Sequence, residues 1–240
     1  MNKKNLTFKN NIQKKYIKQK FLKNFNTVFK NTINEVNNTN KTLNTLNKKF
    51  KFNYNIKELN KFKKFKIIAL IGMGGSILGA EAINNFLEKK IRKKIYFFNN
   101  LDERKLMKFK KKESLDKVLF LIISKSGNTI ETISNTFLLN IIKKNAKNII
   151  LISERKNNLL FSLSKKFNLF YIEHKSHIGG RYSIFSEVGM IPAYLMGLNT
   201  IRLRSQTLKF LKGKDKIFLK DSVIKLASII NSKKTNNLIL

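Results

Sequence analysis

The chain contains no cysteine and only two histidines, His174 and His177, among its 240 residues. The absence of cysteine excludes a disulfide framework and a thiolate metal site, and two histidines argue against a histidine-rich metal centre. No stretch approaches the roughly 18 consecutive apolar residues of a membrane helix, and the polar start lacks the apolar core of a signal peptide. We therefore expect a cytoplasmic protein without a membrane partner or a metal.

Acidic residues are scarce as well, since 14 Asp and Glu stand against 50 Lys and Arg and leave a formal net charge of +36. A surface this basic attracts nucleic acid, and a nucleic-acid-binding protein is one interpretation, which predicts a steep salt dependence of affinity. The excess, however, is spread along the chain together with abundant Asn, Ile and Phe, the residues of A- and T-rich codons. No zinc finger, helix-turn-helix or RNP-like pattern accompanies it, so we expect no specific nucleic-acid partner.

An apolar fraction of 42% supplies a substantial core and excludes a wholly disordered chain. From Lys66 onward, five short and nearly continuous apolar runs are typical of strands buried on both faces; they are Ile67–Ile71, Ile95–Phe98, Val118–Ile123, Asn148–Ile152 and Leu169–Ile172. Segments with helical periodicity separate most of them, and in one such segment Ile130, Ile133, Phe137 and Ile141 share a face. This alternation predicts an α/β fold, a five-stranded doubly wound parallel sheet with an N-terminal helical segment.

The same pattern divides the chain into three regions. Residues 1–65 contain neither Gly nor Pro and predict amphipathic helices that pack on the adjoining domain. Residues 66–205 carry the sheet and its loops. Residues 206–240 predict a connecting helix and then, at 237–240, the first residues of a further buried strand. We therefore expect a second domain beyond this chain.

Two loops that come directly after predicted strands have the composition of an anion-binding site. The first, Gly72–Gly79, opens a helix; its glycines let the backbone approach a ligand, and the helix N-terminus presents free N–H groups. It is neither a dinucleotide fingerprint nor a P-loop, because Ile77 stands where Gly or Ala is needed and no Lys precedes Ser76. The alternative is a Gly-rich turn used only for tight packing.

The second loop, Ser124–Thr129, brings three hydroxyl groups, a Lys and a Gly to the start of another helix. Hydroxyls and backbone N–H groups can donate hydrogen bonds to a phosphate monoester, and the positive end of the helix offsets its charge. Ser and Thr are also ordinary N-caps, so each hydroxyl alone is as consistent with a cap as with a ligand. Three hydroxyls beside a second Gly-rich loop favour a phosphate site.

A third motif, Gly179–Ser183, reads Gly-Gly-Arg-Tyr-Ser. The glycine pair allows a sharp turn and presents Arg181 at a helix start, where its guanidinium could hold an oxyanion. His177 could take part in proton transfer, but a lone His is more often a polar loop residue, and it is given no role.

Taken in this order, Gly74–Ser76, Ser124–Thr132 and Gly179–Ser183 resemble the glucose-6-phosphate isomerase family over about Ile67 to Leu198. The resemblance implies a SIS-type, flavodoxin-like sheet, with residues 66–205 as a first SIS domain and a second one after residue 240. It further implies reversible conversion of glucose 6-phosphate to fructose 6-phosphate through a cis-enediol, in glycolysis and gluconeogenesis, by a cytoplasmic homodimer without metal or cofactor.

The resemblance also implies roles for single residues. The positions that hold the sugar phosphate are Gly75, Ser76, Ser124, Lys125, Ser126 and Thr129. Arg181 falls on the position that stabilises the cis-enediol, with Gly180 beside the substrate. The family's catalytic-base Glu and ring-opening His lie downstream of Arg181, where Glu187 is too close to the motif and no further His occurs.

The chain thus resembles the N-terminal part of the enzyme, truncated before the catalytic base, and the 240 residues alone are expected to be inactive. Glu81 and Glu131 lie on the first turns of the two binding helices, where stabilising a helix start is the expected task. The alternative function is a non-catalytic SIS module that senses a phosphosugar, because the first two loops alone indicate only a SIS domain.

Overall fold

The fold is a parallel sheet flanked by helices, seen in a computed structural model that describes residues 19–232. Its strands are β1 (Ile67–Gly72), β2 (Lys94–Phe98), β3 (Val118–Ile123), β4 (Ile149–Ser153) and β5 (Phe170–Glu173). All pairs are parallel, and the order across the five-stranded sheet is β2-β1-β3-β4-β5. The predicted flavodoxin-like, doubly wound sheet is confirmed.

The helices are α1 Gln19–Asn37, α2 Ile56–Leu59, α3 Leu78–Phe86, α4 Glu103–Lys112, α5 Ile130–Leu138, α6 Leu159–Lys166, α7 Glu187–Leu195, α8 Thr200–Thr207 and α9 Gly213–Asn231. None of these helices is both long enough and apolar enough for a membrane crossing.

The chain divides into two compact units. The larger, Val36–Arg204, contains the whole sheet and all three candidate loops. The other contains α1 up to Glu35 and, from Ser205 onward, the end of α8 and all of α9. The predicted boundaries after residues 65 and 205 remain predictions, and the strand expected at 237–240 and the first 18 residues lie outside the described part of the chain.

Each face of the sheet carries its own hydrophobic core, because alternate side chains of a strand point to opposite faces. In β1, Ile68 and Leu70 belong to a core shared with α3 and α7, whereas Ala69 and Ile71 belong to a core shared with α4 and α6. Every residue of β3 is buried. This double burial explains why the strands read as continuous apolar runs.

Helix α5 does not bury the face that its apolar residues predict. Ile130 is 72% exposed and Phe137 is 50% exposed. The buried face is polar instead, with Asn135 donating to Asn100 O at 2.9 Å and Thr136 donating to the Thr132 carbonyl at 2.7 Å. The face prediction was wrong because these side chains find backbone acceptors and so can be buried.

The strand register brings the candidate loops to one edge of the sheet. Gly72 of β1 lies opposite Ile123 of β3, and Ile123 lies opposite Ile152 of β4. The loops after these strands therefore begin side by side. Because β2 and β3 flank β1 on opposite sides, the β1/β3 boundary is the topological switch point, where open α/β sheets bind ligands.

Candidate functional site

The loop after β1 is built by glycine. Gly74 has φ +52°, a left-handed conformation that L side chains rarely adopt. A single 3-10 turn, Gly74–Ser76, then leads into α3. A Cβ on Gly75 would lie 2.2 Å from Gly180 O, so the first loop and the Gly-Gly-Arg motif touch through their backbones.

The loop after β3 forms a cluster of three hydroxyl groups. Ser124 Oγ lies 2.8 Å from Thr129 Oγ1, and Ser126 Oγ lies 3.4 Å from each of the other two oxygens. The backbone N–H of Gly127 donates to Ser124 Oγ at 3.1 Å, which fixes the buried end of the cluster. Gly127 itself has φ +72°, so the turn depends on glycine.

The helices that these two loops lead into begin without a side-chain cap. In the unit that holds the sheet, the N-cap side chains of α2, α4, α6 and α7 accept a hydrogen bond from a first-turn N–H. At α3 and α5 no described side chain does so. Thr129 stands at the N-cap position of α5, yet its hydroxyl bonds within the cluster. Both starts thus retain the partial positive charge and the donors that bind anions.

The third motif packs against the first loop. Ser183 Oγ donates toward Gly180 O at 2.6 Å and Gly75 O at 3.0 Å. Ser183 is buried, whereas Arg181 is exposed and makes no hydrogen bond or ion pair with the described residues. The motif is thus tied to the first loop through Ser183, and the guanidinium is unpaired among the described residues.

These loops enclose a cleft of about 330 Å³. Its lining includes most of the sequence-predicted site residues, namely Gly75, Ser76, Lys125, Ser126, Thr129 and Gly180. Ser124 lies beneath it and is 1% exposed. The structure does not bring the Arg181 side chain into this lining.

Two residues of the lining, Glu154 and Lys156, were missed by the sequence reasoning. They come after β4, and the rule that ligands bind beyond the carboxyl ends of parallel strands applies to that loop as well. Glu154 pairs with Lys156 at 2.5 Å and with Lys125 at 3.5 Å. Burial acts to raise the pKa of the Glu154 carboxyl, but the ion pairs with Lys156 and Lys125 outweigh it and hold the pKa below its usual value.

The cleft is suited to an anion. Hydroxyl groups, backbone N–H groups and ammonium groups are donors, and its one described carboxylate is already paired with two lysines, which makes it a poor cation site. The same pairing makes Glu154 a weak general base. Glu81, Glu131 and Glu187 lie outside the lining, so Glu154 is the one described carboxylate on this cleft.

A parallel sheet in this order, with glycine and hydroxyl loops at its switch point, defines a flavodoxin-like α/β domain with an anion-binding edge. The family model for phosphoglucose isomerase matches residues 2–231, and the chain belongs to that family. A glucose-6-phosphate isomerase from Methanocaldococcus jannaschii is 30% identical over 182 residues, covering 75% of this chain and 44% of the relative. One from Borreliella afzelii is 34% identical over 197 residues, covering 76% of this chain and 36% of the relative. The chain thus spans less than half of the length of these relatives.

Solved structures agree with this assignment. The crystal structure of a glucose-6-phosphate isomerase from Chlamydia trachomatis matches with a TM-score of 0.52 and 25% identity, over 67% of this chain and 31% of that chain. A hypothetical protein from Thermus thermophilus matches with a TM-score of 0.62 and 17% identity, over 88% of this chain and 56% of that one, and supports the fold alone.

Proposed function

We propose that this chain is the phosphate-binding part of a glucose-6-phosphate isomerase, which interconverts glucose 6-phosphate and fructose 6-phosphate through a cis-enediol. The observation that carries the proposal is the hydroxyl cluster of Ser124, Ser126 and Thr129, placed at an uncapped helix start on the cleft. A phosphate dianion accepts hydrogen bonds from such hydroxyls and gains from the helix dipole. The family membership supports the sugar phosphate as the substrate class.

The other residues complete the binding site. Gly75 and Ser76 offer backbone groups and a hydroxyl on the opposite wall, and Lys125 adds positive charge. Gly180 lines the cleft, which supports the proposal that the backbone of the third motif lies beside the substrate. We propose that the reacting carbons, rather than the phosphate, face Arg181, because its side chain is not part of the cleft lining.

Arg181 is proposed as the catalytic residue that stabilises the enediolate. Its guanidinium is exposed and unpaired among the described residues, so it is free to contact an oxyanion that forms during the reaction. A cation placed where negative charge develops lowers the barrier rather than strengthening ground-state binding. The base that moves the proton between C1 and C2 is proposed to lie outside this chain, as are the ring-opening His and the second SIS domain. We also propose a cytoplasmic homodimer, as the resemblance to the family implies.

The test is a coupled assay that monitors glucose 6-phosphate formed from fructose 6-phosphate. It is run on the longest protein that contains this sequence, as wild type and as Arg181→Lys. We expect turnover in the wild type, and a fall in kcat on the order of 100-fold in the variant with KM within a few-fold, because lysine keeps the charge but loses the planar fork.

Fully active Arg181→Lys enzyme would remove Arg181 from the catalytic role. Saturable phosphosugar binding without any turnover in the wild type would contradict the isomerase and support a phosphosugar-sensing module instead. A thermal scan of both proteins excludes misfolding as the cause of lost activity.

A further inference from the structure

The ammonium group of Lys125 is hydrogen bonded to backbone rather than free in the cleft. Its Nζ donates to Ser176 O at 2.7 Å and to Ile178 O at 2.9 Å. The same Nζ also lies 3.5 Å from Glu154 Oε1, with which it forms an ion pair. A lysine ammonium has three N–H donors and no acceptor. Two donors therefore bond to backbone carbonyls and the ammonium charge is paired with Glu154, so a phosphate ligand would compete with existing contacts.

The carbonyls that Lys125 contacts belong to the segment that precedes the Gly-Gly-Arg motif. Ile178 directly precedes Gly179, and Ser176 lies two residues before Ile178. The intervening carbonyl, His177 O, accepts a hydrogen bond from Thr42 Oγ1 at 2.8 Å. Three consecutive carbonyls thus accept hydrogen bonds from side chains outside the segment. Lys125 donates to two of them and Thr42 to the third.

Glu154 holds Lys125 in this position in two ways. Its carboxylate pairs with the ammonium, and its backbone N–H donates to Lys125 O at 3.0 Å. The Glu154 side chain is 12% exposed and the Lys125 side chain 31%, so solvent and salt screen this partly buried pair less than a fully exposed one.

We propose that Lys125 is a positioning residue: anchored by Glu154, it ties the hydroxyl loop to the Ser176–Ile178 carbonyls and so sets the place of Gly180 and Arg181 relative to the phosphate. This inference rests on the proposed function and changes how Lys125 serves it. The lysine acts through the loop that carries the catalytic guanidinium, while the hydroxyl cluster contacts the phosphate. Phosphate affinity and turnover should therefore respond differently to its loss.

Lys156 supplies a matched control. It lines the same cleft, carries the same charge and pairs with the same Glu154, but donates to no carbonyl of the Ser176–Ile178 segment. Replacing either lysine by methionine removes one positive charge from the cleft and retains an unbranched side chain. Only the Lys125 variant removes the hydrogen bonds to the loop.

The experiment measures residue-resolved amide hydrogen exchange in the free 240-residue chain. The reporters are the amides of Ile178 and Tyr182, which donate to Lys175 O and Gly179 O. In Lys125→Met we expect both to exchange at least about tenfold faster, since a hydrogen bond to a charged group contributes at least this factor. Lys156→Met should change them by less than about twofold, in line with other surface substitutions.

Two further variants distinguish the loss of this contact from misfolding. Glu154→Gln keeps the ammonium but loses its charged anchor, and we expect an intermediate acceleration. Lys125→Arg keeps donors for the two carbonyls, and should restore most of the protection. The amide of Phe120, which donates to Asn148 O at the sheet, should exchange at the wild-type rate in every variant if the fold is intact.

Turnover gives the second readout, in the longest protein that contains this sequence. Lys125→Met should lower kcat more than it raises KM, with partial rescue by Lys125→Arg. If both lysine variants leave the loop amides unchanged and raise KM alike, Lys125 is a phosphate-binding cation and the inference is overturned. If the exchange difference appears but fructose 6-phosphate does not bind the wild type, the loop contact stands and the proposed function fails.

Discussion

At the scale of single residues, the hydroxyl groups of Ser124, Ser126 and Thr129 are the side chains best suited to donate hydrogen bonds to a phosphate. They bond to one another and to their own turn, and the structure gives Thr129 no capping role at α5. Rotatable hydroxyls can turn their protons toward an incoming anion without moving a heavy atom. The cluster is thus arranged for an anion before the anion arrives.

Thr129→Val tests this arrangement, because valine keeps the branched shape and removes only the hydroxyl. We expect the Kd for fructose 6-phosphate to rise about tenfold or more, since a hydrogen bond to a charged group contributes roughly 1.5–3 kcal/mol. Thr136→Val on the same helix is the control, because its hydroxyl bonds to Thr132 O. Calorimetric titration measures both, and equal affinities of the two variants would exclude Thr129 as a ligand.

Glu187 is a buried carboxyl that lies outside the cleft lining. It is 0% exposed; Oε1 accepts from Asn53 N at 2.9 Å, and Oε2 has no hydrogen-bond partner among the described residues. Burial raises the pKa of this carboxyl, and the nearby charges of Lys175 and Arg204 only partly oppose it. The native state therefore binds the Glu187 proton more tightly than the unfolded state does.

This difference in proton binding decides whether the free energy of unfolding rises or falls with pH. The contribution of Glu187 to stability is fully present below the ordinary carboxyl pKa of 4.5 and is lost as the pH rises through its higher native value. The wild type should therefore lose stability through Glu187 as the pH rises from 4.5 to neutral, whereas Glu187→Gln should not. The free energy of unfolding of the variant minus that of the wild type should increase over this range. Urea unfolding across this range measures the difference, and a constant difference would show that the carboxyl does not titrate abnormally.

At the scale of elements, the strands could be predicted from the sequence and one helix face could not. Strands such as β1 and β3 are buried on both sides, so their apolar runs are continuous and their limits are sharp. In α5 the buried side chains are polar; Asn135 donates to the distant Asn100 O and Thr136 to the local Thr132 O, pairings that periodicity does not reveal. The site loops could be predicted because glycine and hydroxyl groups recur where strands end. Glu154 and Lys156 have no such composition, and only the sheet order brings them to the cleft.

The contact between the first loop and the Gly-Gly-Arg motif is a property of two elements together. A Cβ on Gly75 would meet Gly180 O at 2.2 Å, whereas a Cβ on Gly180 would meet no atom within 4 Å. Gly75→Ala should therefore lower the free energy of unfolding by about 1–3 kcal/mol through overpacking, and Gly180→Ala by less than about 0.5 kcal/mol. Chemical denaturation measures both, and equal losses would mean that the backbones do not touch.

At the scale of the whole molecule, the charge affects binding without defining the site. A net charge of +36 raises the local concentration of any anion, and this attraction falls with added salt. The cleft adds directed donors that the general field lacks. Binding at the cleft should therefore persist at an ionic strength that abolishes non-specific attraction to surface lysines.

A phosphosugar site at this edge of the sheet is tested by an NMR titration of the 240-residue chain with fructose 6-phosphate, at constant and moderately high ionic strength, beside an equal titration with fructose. We expect saturable shifts at the amides of Gly75, Ser76, Ser124–Thr129 and Gly180 with the phosphosugar, and none with fructose. Shifts spread over the surface lysines, or no shifts at the three loops, would contradict a phosphosugar site at this edge of the sheet.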